Sequence, residues 1–226
     1  MSSSDAEREI FARIRGASRR SSPQQIAEEL ATLKSSSAAT LPTSDIADAL
    51  QHNLQRNGAS TAAVNTRSEA VLEISRFIAQ KHRQRRIVTG HDPRLAALPW
   101  RDGGLLPRFD VAQAADNVAV SYAQCAVAET GSLALLLDRN NPALNNLLVE
   151  DHLILVDHCD IHARLESIWG LSSLQHTNAR PRGMMMISGP SSTADISMQL
   201  VLGAHGPRAL HVVIVGTAPK SAPGPS

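Results

Sequence analysis

Three short stretches carry the residues able to do chemistry. The first is Glu129-Thr130-Gly131-Ser132, set inside the otherwise apolar run AVAETGSLALLL. A buried charge is costly without partners. The segment is therefore either the turn between two buried strands or a polar loop that presents a carboxylate to a ligand. The second stretch is ISGPSSTADI, residues 187–196. A strand ending at Ile187, a Gly-Pro turn and hydroxyls at the start of a following helix would make a natural anion site. Ser188, Gly189, Ser191, Ser192, Thr193 and Asp195 would line it, and a small carboxylate or a phosphate would suit it. Capping alone also accounts for Ser192 or Thr193, and Ser192 to Asp195 has the spacing of a capping box.

The third stretch is DHLILVDHCDIHARL, with His152, His158, Cys159, Asp160 and His162. A helix over 158–162 would put His158 and His162 on one face, as two metal ligands need. Asp160, however, reads as the N-cap of a helix beginning at Ile161, which leaves His158 ahead of that helix. Catalytic zinc needs three well-placed ligands, so no metal is expected, and His158 and His162 stand only as candidates for a hydrolytic centre. Cys125 could serve as a nucleophile, although free cysteines are more commonly buried and inert. No GxSxG, GxGxxG or Walker A pattern occurs, and no Ser/His/Asp triad can be picked from nine histidines by sequence.

Composition narrows the class. The 226 residues are 42% apolar with a net charge of +1, an ordinary globular balance. Six aromatic residues are too few for a base-stacking surface, and the basic run Lys81 to Arg86 reads as a solvated helix end, so nucleic-acid binding is not expected. Two cysteines without a CxxC cannot hold an iron–sulfur cluster by four thiolates. The beginning MSSSDAEREI lacks an apolar run, and no stretch has the ~20 apolar residues of a membrane helix. The expectation is a cytoplasmic protein without membrane insertion.

The elements that must position these residues follow from periodicity. An amphipathic helix over 5–17 and a weaker one over 24–33 lie among Ser, Thr and Pro, giving an N-terminal helix and polar linker over 1–41. Ile46, Leu50 and Leu54 mark a helix stopped at Asn57-Gly58, and Thr66 to Glu69 is a capping box ahead of Val71, Ile74 and Ile78. A short strand follows at 87–89. The runs 118–122, 133–137, 153–156, 184–187 and 212–215 suit strands covered on both faces, with helices expected at 161–169 and 193–202. The body is one α/β domain over 42–216, and the tail 217–226 is too rich in Pro, Ser and Gly to fold alone.

Two segments, NVAVSYAQCAVAETGSLALLL from Asn117 and ISGPSSTADISMQLVLGAHGPRALHVVIV from Ile187, resemble the LUD-domain family, specifically the lactate utilization protein C (LutC/YkgG) family. The resemblance implies a Rossmann-like three-layer α/β sandwich with a mostly parallel central sheet, similar to sugar-phosphate isomerases, 5-formyltetrahydrofolate cyclo-ligase and CoA transferases. It implies an accessory role in oxidising L-lactate to pyruvate beside two iron–sulfur partner proteins, which carry the clusters while this chain holds no cofactor. In the similar CoA transferases a glutamate near a glycine turn attacks the thioester, so Glu129 is the candidate catalytic residue of an alternative acyl- or CoA-transferase reading. Against it stands a carboxylate that hydrogen-bonds backbone N–H groups of the 187–196 loop and pins the two loops together.

Overall fold

The computed structural model describes residues 3–17, 22–32, 40–171, 181–194, 200–203 and 205–216. The chain divides into two units, Met1–Ala38 and Ala39–Ser226. In the first unit lie α1 (Ser3–Ala17) and α2 (Pro23–Thr32), with Ile10, Phe11 and Ile14 exposed. In chain order the second unit contains α3 (Ile46–Arg56), β1 (Ser60–Val64), α4 (Arg67–Lys81), β2 (Arg86–Thr89), α5 (Pro93–Ala96), β3 (Leu106–Phe109), β4 (Val118–Tyr122), β5 (Cys125–Val127) and β6 (Ser132–Leu137). It continues with β7 (Asp151–Asp157), β8 (Ile161–His162), β9 (Gly183–Ile187), β10 (Ser192–Ala194), β11 (Leu200–Leu202) and β12 (Ala209–Val215).

The helix starts obey their caps. Asp45 accepts the N–H groups of Ala47 at 2.8 Å and Asp48 at 3.0 Å to begin α3, and Gly58 (φ +87°) ends it. Thr66 accepts the Glu69 N–H at 3.1 Å to begin α4, while the Glu69 carboxylate reaches back to the Asn65 N–H at 2.8 Å. The basic end of α4 is less solvated than its sequence implies. Lys81 Nζ lies 3.0 Å and His82 Nε2 2.5 Å from the buried Asp151 carboxylate, which ties the helix to the start of β7.

The central sheet has the order β1-β12-β7-β4-β2-β3, and every pairing in it is parallel. Successive side chains alternate between its faces. Val118, Val120, Tyr122, Leu153, Leu155, Val213 and Val215 meet α4 and the segment from Leu95 to Leu105. Ile154, Val156, Leu210, Val212 and Ile214 meet α3 and the buried residues of β5 and β6. Both faces are covered, which is why these strands read as continuous apolar runs.

The second covering layer is itself partly a sheet, of order β8-β5-β6-β9. The runs at 133–137 and 184–187 pair antiparallel here, Leu133 opposite Ile187, and not in the central sheet. Two expected helices are replaced. Ile161 and His162 enter the sheet opposite Ala126 and Val127, and the following turns over Leu165–Gly170 are 3₁₀. Residues 192–194 pair antiparallel with 200–202 as β10 and β11, so Ser192 and Thr193 sit in a strand and not at a helix start. Sheet pairing overrides the local helical pattern in both places. Asp195 and the tail 217–226 lie outside the described residues.

The last turn of α3 seats the second layer. Gly131 has φ +63°, and a Cβ on it would fall 2.7 Å from the Asn53 carbonyl carbon and 2.8 Å from Leu54 N. Gly104 has the same φ with nothing within 4 Å. Gly104→Ala should therefore cost about 1 kcal/mol of strain alone. Gly131→Ala should cost about 3 kcal/mol, because the hairpin must also lift off the helix. Urea unfolding of the two variants checks this, and equal losses would mean that the close approach is unimportant.

Candidate functional site

Glu129 sits in the turn joining β5 to β6, half-buried over α3. Asn53 Nδ2 donates to the Ala128 carbonyl at 2.7 Å and the Glu129 carbonyl at 3.2 Å, and Asn57 Nδ2 donates to the Thr130 carbonyl at 2.9 Å. The Glu129 carboxylate accepts the Leu165 N–H at 2.6 Å, at the first residue of a 3₁₀ turn. It thus satisfies a backbone donor of the 163–165 segment, where the sequence pointed to donors of the 187–196 loop. The two loops do meet, but through hydroxyls: Thr130 Oγ1 donates to Ser132 Oγ at 2.8 Å, and Ser132 Oγ lies 2.5 Å from Ser188 Oγ.

Ser188, Gly189 and Ser191 line a cleft of about 190 Å³. Its other walls are Met185, Met186 and Ile187 of β9, the turn His205-Gly206-Pro207, Asn146 and Leu147, and two residues of the central sheet, His152 and Leu210. The loop is held from three sides. Ser191 N–H donates to the Pro207 carbonyl and Gly203 N–H to the Ser191 carbonyl, both at 2.8 Å. A Cβ on Gly189 would lie 2.4 Å from the Asn57 carbonyl oxygen, so only glycine lets this loop rest on the end of α3. Since no helix starts at Ser192, the cleft has no helix dipole there to attract an anion.

The sheet wall of the cleft is polar where an apolar residue would be expected. His152 and Asn146 are each 1% exposed. Ser121 Oγ donates to Asn146 Oδ1 at 3.1 Å, and His152 Nε2 lies 2.9 Å from Ser121 Oγ. With the Asn146 amide oxygen turned toward Ser121, the serine proton goes to that oxygen and His152 Nε2 carries the proton that Ser121 Oγ accepts. His152 is then the Nε2–H tautomer with a bare Nδ1. Among the described residues, His152 Nδ1 and Asn146 Nδ2 have no hydrogen-bond partner. Asn145 fixes the turn beneath them, accepting the Ala112 N–H at 2.6 Å and donating to the Asp110 carbonyl at 3.1 Å.

The remaining candidates lie apart from this cleft. His158 belongs to a 3₁₀ turn, His158–Asp160, and His162 ends β8; the described residues contain no group of three or more His, Cys, Asp or Glu able to hold a metal. Cys125 is fully buried in β5, and burial pushes its thiol up to about 11, far from the thiolate a nucleophile needs. The residues that sequence reasoning missed are Ser121 and Asn146, together with the role of His152. One signal was present: His152 is in phase with Ile154 and Val156, which marks it as facing inward.

Burial pushes His152 down to about 3, from an ordinary value near 6.5. The unfolded chain therefore binds a proton that the folded chain refuses, and stability falls as pH drops below 6.5. Between pH 7 and pH 5 this histidine alone should remove about 2 kcal/mol. The His152→Gln variant should lack that part of the acid loss when the two proteins are unfolded in urea at both pH values. Parallel losses would show that His152 takes up its proton in the folded state.

The LUD domain family model matches residues 47–215. The chain is 36% identical over 99 residues to an uncharacterized protein of Neisseria meningitidis serogroup B, a match spanning 44% of this chain and 42% of that protein. It is 25% identical over 173 residues to lactate utilization protein C of Macrococcus caseolyticus, spanning 71% of this chain and 74% of the relative. The fold is that of a crystal structure of a DUF162 family protein from Deinococcus radiodurans, with a TM-score of 0.54 at 18% identity, over 77% of this chain and 100% of that one. With three quarters of its length inside that model and lactate utilization C proteins among its curated relatives, the chain belongs to the LUD domain family.

Proposed function

We propose that the protein is an accessory component of a cytoplasmic L-lactate utilization system, in which lactate is oxidised to pyruvate, and that it acts with two iron–sulfur partner proteins. The observation that carries the reading is the cleft. At about 190 Å³ it has room for about six water-sized groups, the size of lactate or pyruvate. Its polar lining is made of hydroxyl, amide and imidazole side chains, and no lysine, arginine, aspartate or glutamate is among its described lining residues. That suits a singly charged small carboxylate better than a phosphate, whose charge calls for a cation or a helix start.

The chain's own contribution is to bind and orient. Oxidising a 2-hydroxy acid removes two electrons and needs a base for the hydroxyl proton. A histidine held down near 3 is a feeble base at neutral pH, since an effective one lies near the working pH. Cys125 and Cys159, one buried and one exposed, are not the ligand set of a cluster. The electrons therefore pass to the iron–sulfur partners. The transferase alternative asks Glu129 to leave the Leu165 N–H it accepts at 2.6 Å before it could attack a thioester.

Reconstitution decides between these readings. Purified chain with L-lactate and a dye acceptor should give no dye reduction alone and rapid reduction once both iron–sulfur proteins are added. Turnover by this chain by itself, or an undiminished rate when it is omitted from the mixture, would overturn the accessory role. Thioester exchange that disappears in Glu129→Gln would establish the transferase instead.

A further inference from the structure

We infer that Ser60, His211 and Glu73 form a second site, at the edge of the central sheet, where Ser60 is a nucleophile toward small anionic carboxylic esters. The inference goes beyond the role in lactate utilization and does not depend on it. Nine histidines reveal no triad by sequence, but the fold sets one of them between a serine and a glutamate. Ser60 Oγ lies 2.8 Å from His211 Nδ1, and His211 Nε2 lies 3.3 Å from Glu73 Oε1. A nucleophile within reach of a base, itself oriented by a third group, is the arrangement that covalent catalysis needs.

Three elements supply the three residues. Ser60 of β1 stands opposite His211 of β12, and Glu73 comes from α4. Phe77, one turn after Glu73, stacks on the imidazole with ring centroids 4.6 Å apart and fixes its plane. A carboxylate can only accept, so Nε2 carries the ring proton and Nδ1 is left to accept from the serine. The opposite tautomer would turn a bare Nε2 toward the Glu73 oxygen. The Nε2 contact is electrostatic and not aligned as a hydrogen bond, which is common for catalytic pairs without substrate. Ser60 has a second acceptor in the Leu210 carbonyl, but at the longer distance of 3.4 Å. Burial holds His211 below its ordinary value of 6.5 against the pull of Glu73, with Arg76 and Lys81 lowering it further. The imidazole is therefore neutral at neutral pH and able to take a proton.

Ser60 is exposed, and with Glu73 and His211 it lines a cleft of about 550 Å³. Arg76, Lys81 and Arg208 line it too, three cations against the one carboxylate of Glu73. Each has an acidic neighbour, in Glu73, Asp151 and Glu150, yet the lining stays net positive and favours an ester that bears a carboxylate. In the first step Ser60 Oγ bonds to the ester carbonyl carbon and its proton passes to His211 Nδ1. The bond to the leaving oxygen then breaks, and the alcohol departs with that proton. Water attacks the acyl-serine through the same base, releasing the acid and restoring Ser60. The backbone supplies a donor for the oxyanion. β1 is an edge strand, and its Val64 carbonyl accepts the Gly216 N–H. The even-numbered residues of β1 thus face β12, and the Thr61 N–H faces the open edge. That amide follows the nucleophile directly, and Thr61 lines the cleft.

The full chain is treated with a fluorophosphonate and with two p-nitrophenyl esters, the acetate and the succinate half-ester. One phosphonyl group should be added, and peptide mass spectrometry should find it on Ser60. The half-ester should be cleaved several-fold faster than the acetate and lose that lead at high salt. Ser60→Ala, an exposed change, should lose both the adduct and the cleavage while keeping the wild-type urea midpoint. His211→Gln, checked for folding in the same way, should react about 10²-fold more slowly. Glu73 acts as a positioning residue, so Glu73→Gln should lower kcat about tenfold with KM unchanged, and Glu73→Asp should restore part of it. A wild type that takes no phosphonyl group, or takes it on another residue, would overturn the site. So would ester cleavage undiminished in Ser60→Ala. Equal cleavage of the two esters at low salt would overturn the preference for anionic substrates.

Discussion

The closeness of the second layer to the last turn of α3 is the constraint on which the rest depends. Two loops come down on that turn, each through a residue without a side chain: Gly131 against Asn53 and Leu54, and Gly189 against the Asn57 carbonyl. Asn53 and Asn57 complete the seat by donating to the carbonyls of Ala128, Glu129 and Thr130. The hairpin of β5 and β6 and the strand β9 are thereby set at a fixed height over the central sheet. That height defines the cleft, whose floor is the sheet and whose opposite wall is β9 with the Ser188–Ser191 loop. The polar turn at Glu129, the most conspicuous feature of the sequence, serves this seating, since its carboxylate closes a backbone donor of the next segment.

On the floor a histidine takes the place of an aliphatic residue. An apolar side chain in phase with Ile154 and Val156 would stabilise the face by about 1.5–3 kcal/mol through burial. His152 forgoes much of that and also has to be neutral, which couples stability to pH. A polar line of three residues, complete except at its two ends, is an expensive arrangement for a core.

Much of the architecture was legible from the amino-acid order. Continuous apolar runs named the strands, and Thr66 with Glu69 and Asn57 with Gly58 marked helix ends that the structure places there. What the runs could not reveal was which sheet they join: SLALLL of β6 and LHVVIV of β12 look alike, yet one pairs antiparallel in the second layer and the other parallel in the centre. The helical spacing after Asp160 and after Ser192 was real but lost to strand pairing. In the site, Ser188, Gly189 and Ser191 were legible as a polar loop after a strand. Their partners were not, because Ser121 and His152 are 31 residues apart and an ordinary serine in an alanine-rich strand gives no local signal.

The position of the cleft bears on what it can hold. Ligands of open α/β sheets usually sit beyond the carboxyl ends of the strands, where helix starts offer unpaired N–H groups to phosphates. Here His152 and Leu210 are the second residues of β7 and β12, so the cleft lies on a face of the sheet near its amino ends. With β10 in place of the helix expected after the Gly-Pro turn, the loop cannot supply a dipole either. The described lining of the cleft therefore has neither a lysine or arginine nor a helix start to neutralise a large negative charge. Where phosphate sites use the backbone at strand ends, this cleft offers side chains on a strand face and the loop that covers it.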